Sequence, residues 1–191
     1  MNPVYTIMTP TKIPIGRINK SINEQFIKEC KQYPNENTLK TTASGLINPK
    51  FISTLNLHMV KSIQDKYIKP YLCDLLIDLF VDSTNYAFSK RDIIKSYDKN
   101  INIRELWLVE YDNQSYFKSH THVSLPNHYS FSWYLKCESD RKVIFISDKQ
   151  EYEIIVSEGD ILVFPGWLPH RVESSNSVCC SGNFDVSVNM G

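Results

Sequence analysis

The spacing of apolar residues changes character near residue 100. Before that point it is helical. Ser21 followed by Glu24 has the form of a capping box, and Ile22, Phe26, Ile27 and Cys30 follow at one-face spacing until Pro34 stops the run. The stretch 35–49 is polar and reads as loop. A second helix is predicted from Ser53 through Leu57, Val60, Ile63 and Tyr67 to about Pro70. A third is predicted over about 73–89, with Leu75, Leu76, Leu79, Phe80 and Tyr86 as its buried stripe. After Lys99 the apolar runs become short and β-like. Strands are predicted at 102–111, 116–122, 129–137, 142–147, 151–156, 160–164, 170–173 and 178–188. Turn residues such as Asp112-Asn113, Pro126-Asn127, Ser139-Asp140 and Glu158-Gly159 separate them. Eight short strands at even spacing point to a sandwich, barrel or jelly roll. Residues 1–100 are therefore expected to be a helical support region, and residues 101–191 a β core that forms one structural unit with it.

Composition adds mainly exclusions. A chain of 191 residues buries a core without disulfide support. Basic and acidic side chains number 21 each, and the basic ones are scattered. Clustered positive charge is the footprint of nucleic-acid binding, so no duplex nucleic acid is expected as a partner. The five cysteines, Cys30, Cys73, Cys137, Cys179 and Cys180, match no zinc-ribbon or Cys-x-x-Cys spacing. They are expected as reduced thiols in a cytoplasmic protein, with one member of the Cys179-Cys180 pair buried and the other exposed. Residues 1–15 lack the charged and apolar regions of a signal peptide. The greasiest stretch, 75–81, is interrupted by Asp78 and too short to span a bilayer.

The chemistry sits in the histidines. Four of the five, His120, His122, His128 and His170, fall in the β half. In a strand, residues i and i+2 share a face, so His120-Thr121-His122 presents two imidazoles to one ion. Downstream, Gly159 makes a turn, 161–164 is a buried strand, and Pro165-Gly166 ends it before a short loop delivers His170. A lone histidine in apolar surroundings needs a reason, and a metal shared with the upstream pair supplies one. His120, His122 and His170 are accordingly predicted as metal ligands. His128, after a Pro-Asn turn, is the alternative to His122.

Four pieces carry a resemblance: Glu105 to Tyr111, Ser119-His120-Thr121-His122, Ser132 to Leu135, and Glu158 to His170. Together they resemble the 2-oxoglutarate/Fe(II)-dependent oxygenase superfamily, most closely the oxygenases common in bacteriophages and marine bacteria. The resemblance covers close to half the chain. It implies a double-stranded β-helix (a cupin-like jelly roll) with helical N-terminal support. It further implies Fe(II) held by three protein ligands with three open positions. 2-Oxoglutarate would chelate the iron through its 1-carboxylate and 2-keto oxygen, and molecular oxygen would take the last position. Succinate and usually a hydroxylated product would result. The location would be cytoplasmic, and in a viral case the host cytoplasm.

Two features depart from the pattern. The superfamily commonly has a carboxylate where His122 stands. A three-His site also resembles cupin dioxygenases, which use no 2-oxoglutarate. The superfamily also places an Arg nine or ten residues after the last histidine, to hold the distal carboxylate of 2-oxoglutarate, and those positions are Cys179 and Cys180. A buried carboxylate without a cation is costly. Tyr134 and Lys136, two residues apart on one strand, are therefore expected to anchor it. Arg171 neighbours His170 and is turned to the opposite face. Trp107, Tyr116, Phe131 and Trp167 are expected to line the pocket or fill the core. Three functions remain open: a 2-oxoglutarate/Fe(II) hydroxylase, a three-His cupin-type metalloenzyme, and a family member that binds a ligand without turnover. The substrate would be an amino acid, a protein side chain, a nucleobase or a small metabolite.

Overall fold

A computed structural model describes residues 5–8, 14–21, 24–34, 46–47, 49–53, 56–72, 101–122 and 128–186. The C-terminal half forms eight strands: β5 (Ile101–Tyr111), β6 (Tyr116–His120), β7 (His128–Cys137), β8 (Arg141–Ser147), β9 (Gln150–Val156), β10 (Asp160–Pro165), β11 (His170–Val172) and β12 (Ser177–Val186). Every predicted strand of this half is present, with ends shifted by a few residues at most. Turn chemistry sets these ends. Gly159 adopts φ +89°, a backbone region other residues rarely enter, and its N–H donates to Tyr134 O at 2.7 Å.

The strands divide between two facing sheets. One runs β10-β7-β12-β5 and the other β6-β11-β8-β9, all antiparallel. This is the double-stranded β-helix. The first hundred residues supply more than helical support. They add β1 (Tyr5–Met8), β2 (Pro14–Asn19) and β4 (Phe51–Ile52) to the larger sheet, and β3 (Leu46–Ile47) to the smaller. Sequence reading missed these four strands, which are short or lie in polar surroundings. Helix α1 (Glu24–Cys30) forms as predicted. The second predicted helix starts later than Ser53. It comprises a 3-10 turn at Leu57–Met59, α2 (Lys61–Ile63) and a π-helical stretch Gln64–Ile68. The predicted third helix lies outside the described residues.

Two apolar layers result. Phe26, Ile63 and Tyr67 from the helices pack on Leu106, Trp133, Cys180 and Phe184, on the outer face of the larger sheet. The barrel interior between the sheets holds Trp107, Val109, Tyr134, Phe145, Phe164 and Cys179. Alternation along β12 therefore sends Cys179 inward and Cys180 outward, and both thiols are buried. The expectation that one would be exposed fails because β12 is a central strand covered on both faces. Gly182 is also fixed by packing: a Cβ there would stand 2.5 Å from Glu105 O and 2.7 Å from the Phe131 ring. Among the described residues, no helix is long and apolar enough to cross a membrane.

Candidate metal centre

His120, the last residue of β6, pairs in register with His170, the first of β11, so sheet geometry alone sets two of the rings side by side. His122 lies beyond the end of β6 and is placed by a backbone bond: its N–H donates to Gly166 O at 2.8 Å, in the turn between β10 and β11. Gly166 N–H in turn donates to His128 O at 2.9 Å. One ring nitrogen from each of His120, His122 and His170 lies within 4.8 Å of the others. The ring centroids stand 4.3 Å (His120 to His170), 5.1 Å (His120 to His122) and 5.3 Å (His122 to His170) apart. Ligand atoms about 2.1 Å from a shared ion are about 3 Å apart, a spacing that small ring rotations reach from here.

The surroundings keep these rings neutral, the state in which imidazole ligates. Burial pushes His170 down to about 3, aided by His120 beside it. Burial likewise lowers His122 to about 4, with His120 and His128 adding repulsion, and it lowers His120. Nδ1 of His120 lies 2.8 Å from Lys118 O, and Nδ1 of His170 lies 2.9 Å from Leu168 O. A carbonyl only accepts, so both Nδ1 atoms carry the proton and both Nε2 atoms keep their lone pairs. Three neutral imidazoles with neither thiolate nor carboxylate suit a divalent transition metal such as Fe(II), with coordination positions left over.

The other predicted site residues separate. His128 does not join the cluster. Its Nδ1 lies 2.7 Å from Asp185 Oδ1, and its buried Nε2 has no hydrogen-bond partner. Tyr134 lines the cavity between the sheets, with its hydroxyl pushed well up by burial. Lys136 does not. It is exposed, its Nζ pairs with Glu24 at 2.8 Å on the helical side, and that contact raises its pKa. The reason is a β-bulge. Lys136 pairs with Val178 and Tyr134 with Cys179, so β7 carries the extra residue Leu135 and period-2 alternation breaks between them. Arg171 bonds Glu151 away from the cavity, as its strand parity requires. Trp107 and Phe131 line the cavity, whereas Tyr116 and Trp167 are exposed.

Among the described residues, the cation that faces the cavity is Arg141, which sequence reading passed over. It opens β8 and is 1% exposed. Its guanidinium stacks 3.9 Å over the Tyr111 ring, donates to Ser177 Oγ, and donates to Glu173 O at 3.0 Å. Nε has no partner, and no carboxylate pairs with this side chain among the described residues. The cavity is narrow, about 30 Å³, and runs from the three histidines to Arg141. A signal existed in the sequence: Arg141 shares parity with the inward Val143 and Phe145.

No protein-family model matches the sequence, and no curated protein does. Solved structures do. One is an oxidoreductase of the 2OG-Fe(II) oxygenase family from Burkholderia pseudomallei: TM-score 0.59, 10% identity, 90% of this chain and 84% of that one covered. Another is a Pseudomonas putida prolyl-4-hydroxylase: TM-score 0.53, 13% identity, 93% and 95% covered. The chain shares their fold. At such identities the likeness extends to architecture, and the chemistry must be argued from the residues themselves.

Proposed function

We propose that this protein is a 2-oxoglutarate- and Fe(II)-dependent oxygenase that acts on a small molecule or a side chain. His120, His122 and His170 hold the iron, and Arg141 with Tyr134 receives the distal carboxylate of 2-oxoglutarate. The observation that carries this reading is a buried guanidinium, unpaired with any carboxylate among the described residues, in the same cavity as three converging imidazoles. A charge removed from water is retained where something compensates it, and a dicarboxylate reaching from metal to guanidinium does so.

The chain's own groups divide the work. The neutral imidazoles offer lone pairs without first losing protons at neutral pH. Arg141 presents donors in a planar fork suited to a carboxylate. Its plane is fixed by the Tyr111 ring below and by Ser177 and Glu173 at its edge. Phe117 and Phe164, beside His120 and His170, exclude water from the reacting end. Bound iron would supply oxygen activation, driven by oxidative decarboxylation of the 2-oxo acid to succinate. The cavity holds only one or two water-sized groups as it stands, so admitting the co-substrate requires side chains along it to move.

That narrowness favours a second reading, a three-His cupin-type metal site with no co-substrate acid. One experiment separates the two. The protein is reconstituted with Fe(II), and succinate is measured with and without 2-oxoglutarate. Succinate release that needs both, and that vanishes in His170→Ala, supports the oxygenase. Iron binding with neither 2-oxoglutarate binding nor succinate release supports the cupin-type site.

A further inference from the structure

The three histidines are not held alike. His120 and His170 each direct Nδ1 at a backbone carbonyl, which leaves Nε2 free to ligate. The Nδ1 of His122 faces an amide nitrogen instead, Asn183 Nδ2 at 3.2 Å. The orientation of that amide follows from its neighbours. Glu105 Oε2 lies 2.7 Å from Asn183 Nδ2, and Ser130 Oγ donates to Asn183 Oδ1 at 2.8 Å. A carboxylate only accepts hydrogen bonds, so Glu105 draws the amide nitrogen to its own side. The second hydrogen on the same nitrogen then points at His122. His122 Nδ1 must accept it, and the proton of the neutral ring sits on Nε2, the opposite tautomer from its two partners.

We propose that Glu105, acting through Asn183, latches His122 in a tautomer that cannot ligate through Nε2, so the third ligand joins only when the Asn183 amide turns over. Glu105 and Asn183 are positioning residues in this scheme, which rests on the metal site proposed above. Turning the amide over places Oδ1 against His122 and Nδ2 against Ser130, whose hydroxyl then accepts. The ring proton moves from Nε2 to Nδ1 with no net gain or loss, and Nε2 acquires the lone pair that a metal takes. Only Glu105 loses, because its carboxylate oxygen then confronts an amide oxygen. The site therefore changes between a two-histidine and a three-histidine set under control of one carboxylate that touches neither metal nor ring. Asn183 is 3% exposed and sits between β5 and β7, so water cannot easily substitute for either partner.

The test reads the rings directly. Histidine-selective ¹⁵N NMR of the metal-free full chain should show protonated Nδ1 for His120 and His170 and protonated Nε2 for His122. In Glu105→Gln the new amide can donate to the turned Asn183 Oδ1. His122 should then change to protonated Nδ1, and affinity for Co(II), used alone as the probe, should rise about tenfold, the size of effect expected for an outer partner of a ligand. Glu105→Ala, which removes the acceptor without adding a donor, should move tautomer and affinity the same way. A wild-type His122 with the tautomer of its partners would overturn the proposal. So would Co(II) affinity that stays level or falls in both variants. The tautomers are read without metal, so this outcome is distinct from failure of the metal site, which would show as Co(II) perturbing none of the three rings.

Discussion

Arg141→Met separates a guanidinium kept for a ligand from one kept for the fold. The substitution removes the stacking on Tyr111, worth up to about 2 kcal/mol when desolvated. It also removes the bonds to Ser177 and Glu173, each worth about 1.5–3 kcal/mol for a charged donor. Against this, it relieves the several kcal/mol needed to keep an unpaired charge 1% exposed. The terms nearly cancel, and stability should change by less than about 2 kcal/mol in either direction. Ligand binding has no such offset. A buried carboxylate that loses its cationic partner costs about 2–5 kcal/mol, at least about 30-fold in affinity. The assay is calorimetric titration of Mn(II)-loaded protein, without oxygen, by 2-oxoglutarate and by pyruvate, which has the same 2-oxo acid head and no distal carboxylate. The wild type should prefer 2-oxoglutarate by at least that factor, and the variant should bind both alike. A variant that keeps the preference, or one that loses 3–5 kcal/mol of stability, would refute the reasoning.

Three further outcomes are expected. Lys136→Ala should leave 2-oxoglutarate affinity unchanged and cost under about 1 kcal/mol in a urea unfolding curve, since it breaks only an exposed ion pair with Glu24. Gly182→Ala should destabilise by about 1–3 kcal/mol in the same assay, because the new methyl meets Glu105 O at 2.5 Å and forces β5 and β12 apart. Metal-free protein should lose stability as pH falls from 6.5 towards 3. In that window the unfolded chain binds protons that His170 (about 3) and His122 (about 4) refuse when folded. His170 alone accounts for on the order of 5 kcal/mol, so unfolding midpoints should drop steeply between pH 7 and pH 4, and less so in His170→Phe.

The β half was legible because its strands are bounded by residues that make turns for local reasons, and because inward positions are mostly apolar. The convergence of the three histidines was legible for a related reason. His120 and His170 occupy strand ends that the barrel topology brings into register. His122 was put in this cluster on weaker grounds: it lies past the end of β6, and a backbone bond to Gly166 sets its position rather than strand alternation. Lys136 was expected to share a face with Tyr134, and it turns away where alternation fails. A bulge at Leu135 separates Tyr134 from Lys136, and no local pattern announces an extra residue opposite a distant strand. Arg141 was passed over because a charged residue beside a turn and next to Lys142 reads as surface. Its burial depends on β12 and on the turn before it, which supply Ser177 and Glu173 from more than 30 residues away. The small strands β1 to β4 depend likewise on edges provided by the rest of the fold.

Gly166 has a consequence for how the chain around His122 tolerates change. Its N–H and C=O bond His128 on one side and His122 on the other, so a single residue of the turn after β10 holds both ends of whatever joins those two histidines. Lengthening a loop whose ends are already fixed costs little, about 0.6 kcal/mol for each doubling. Residues inserted between His122 and His128 should therefore cost little stability and leave the three imidazoles together.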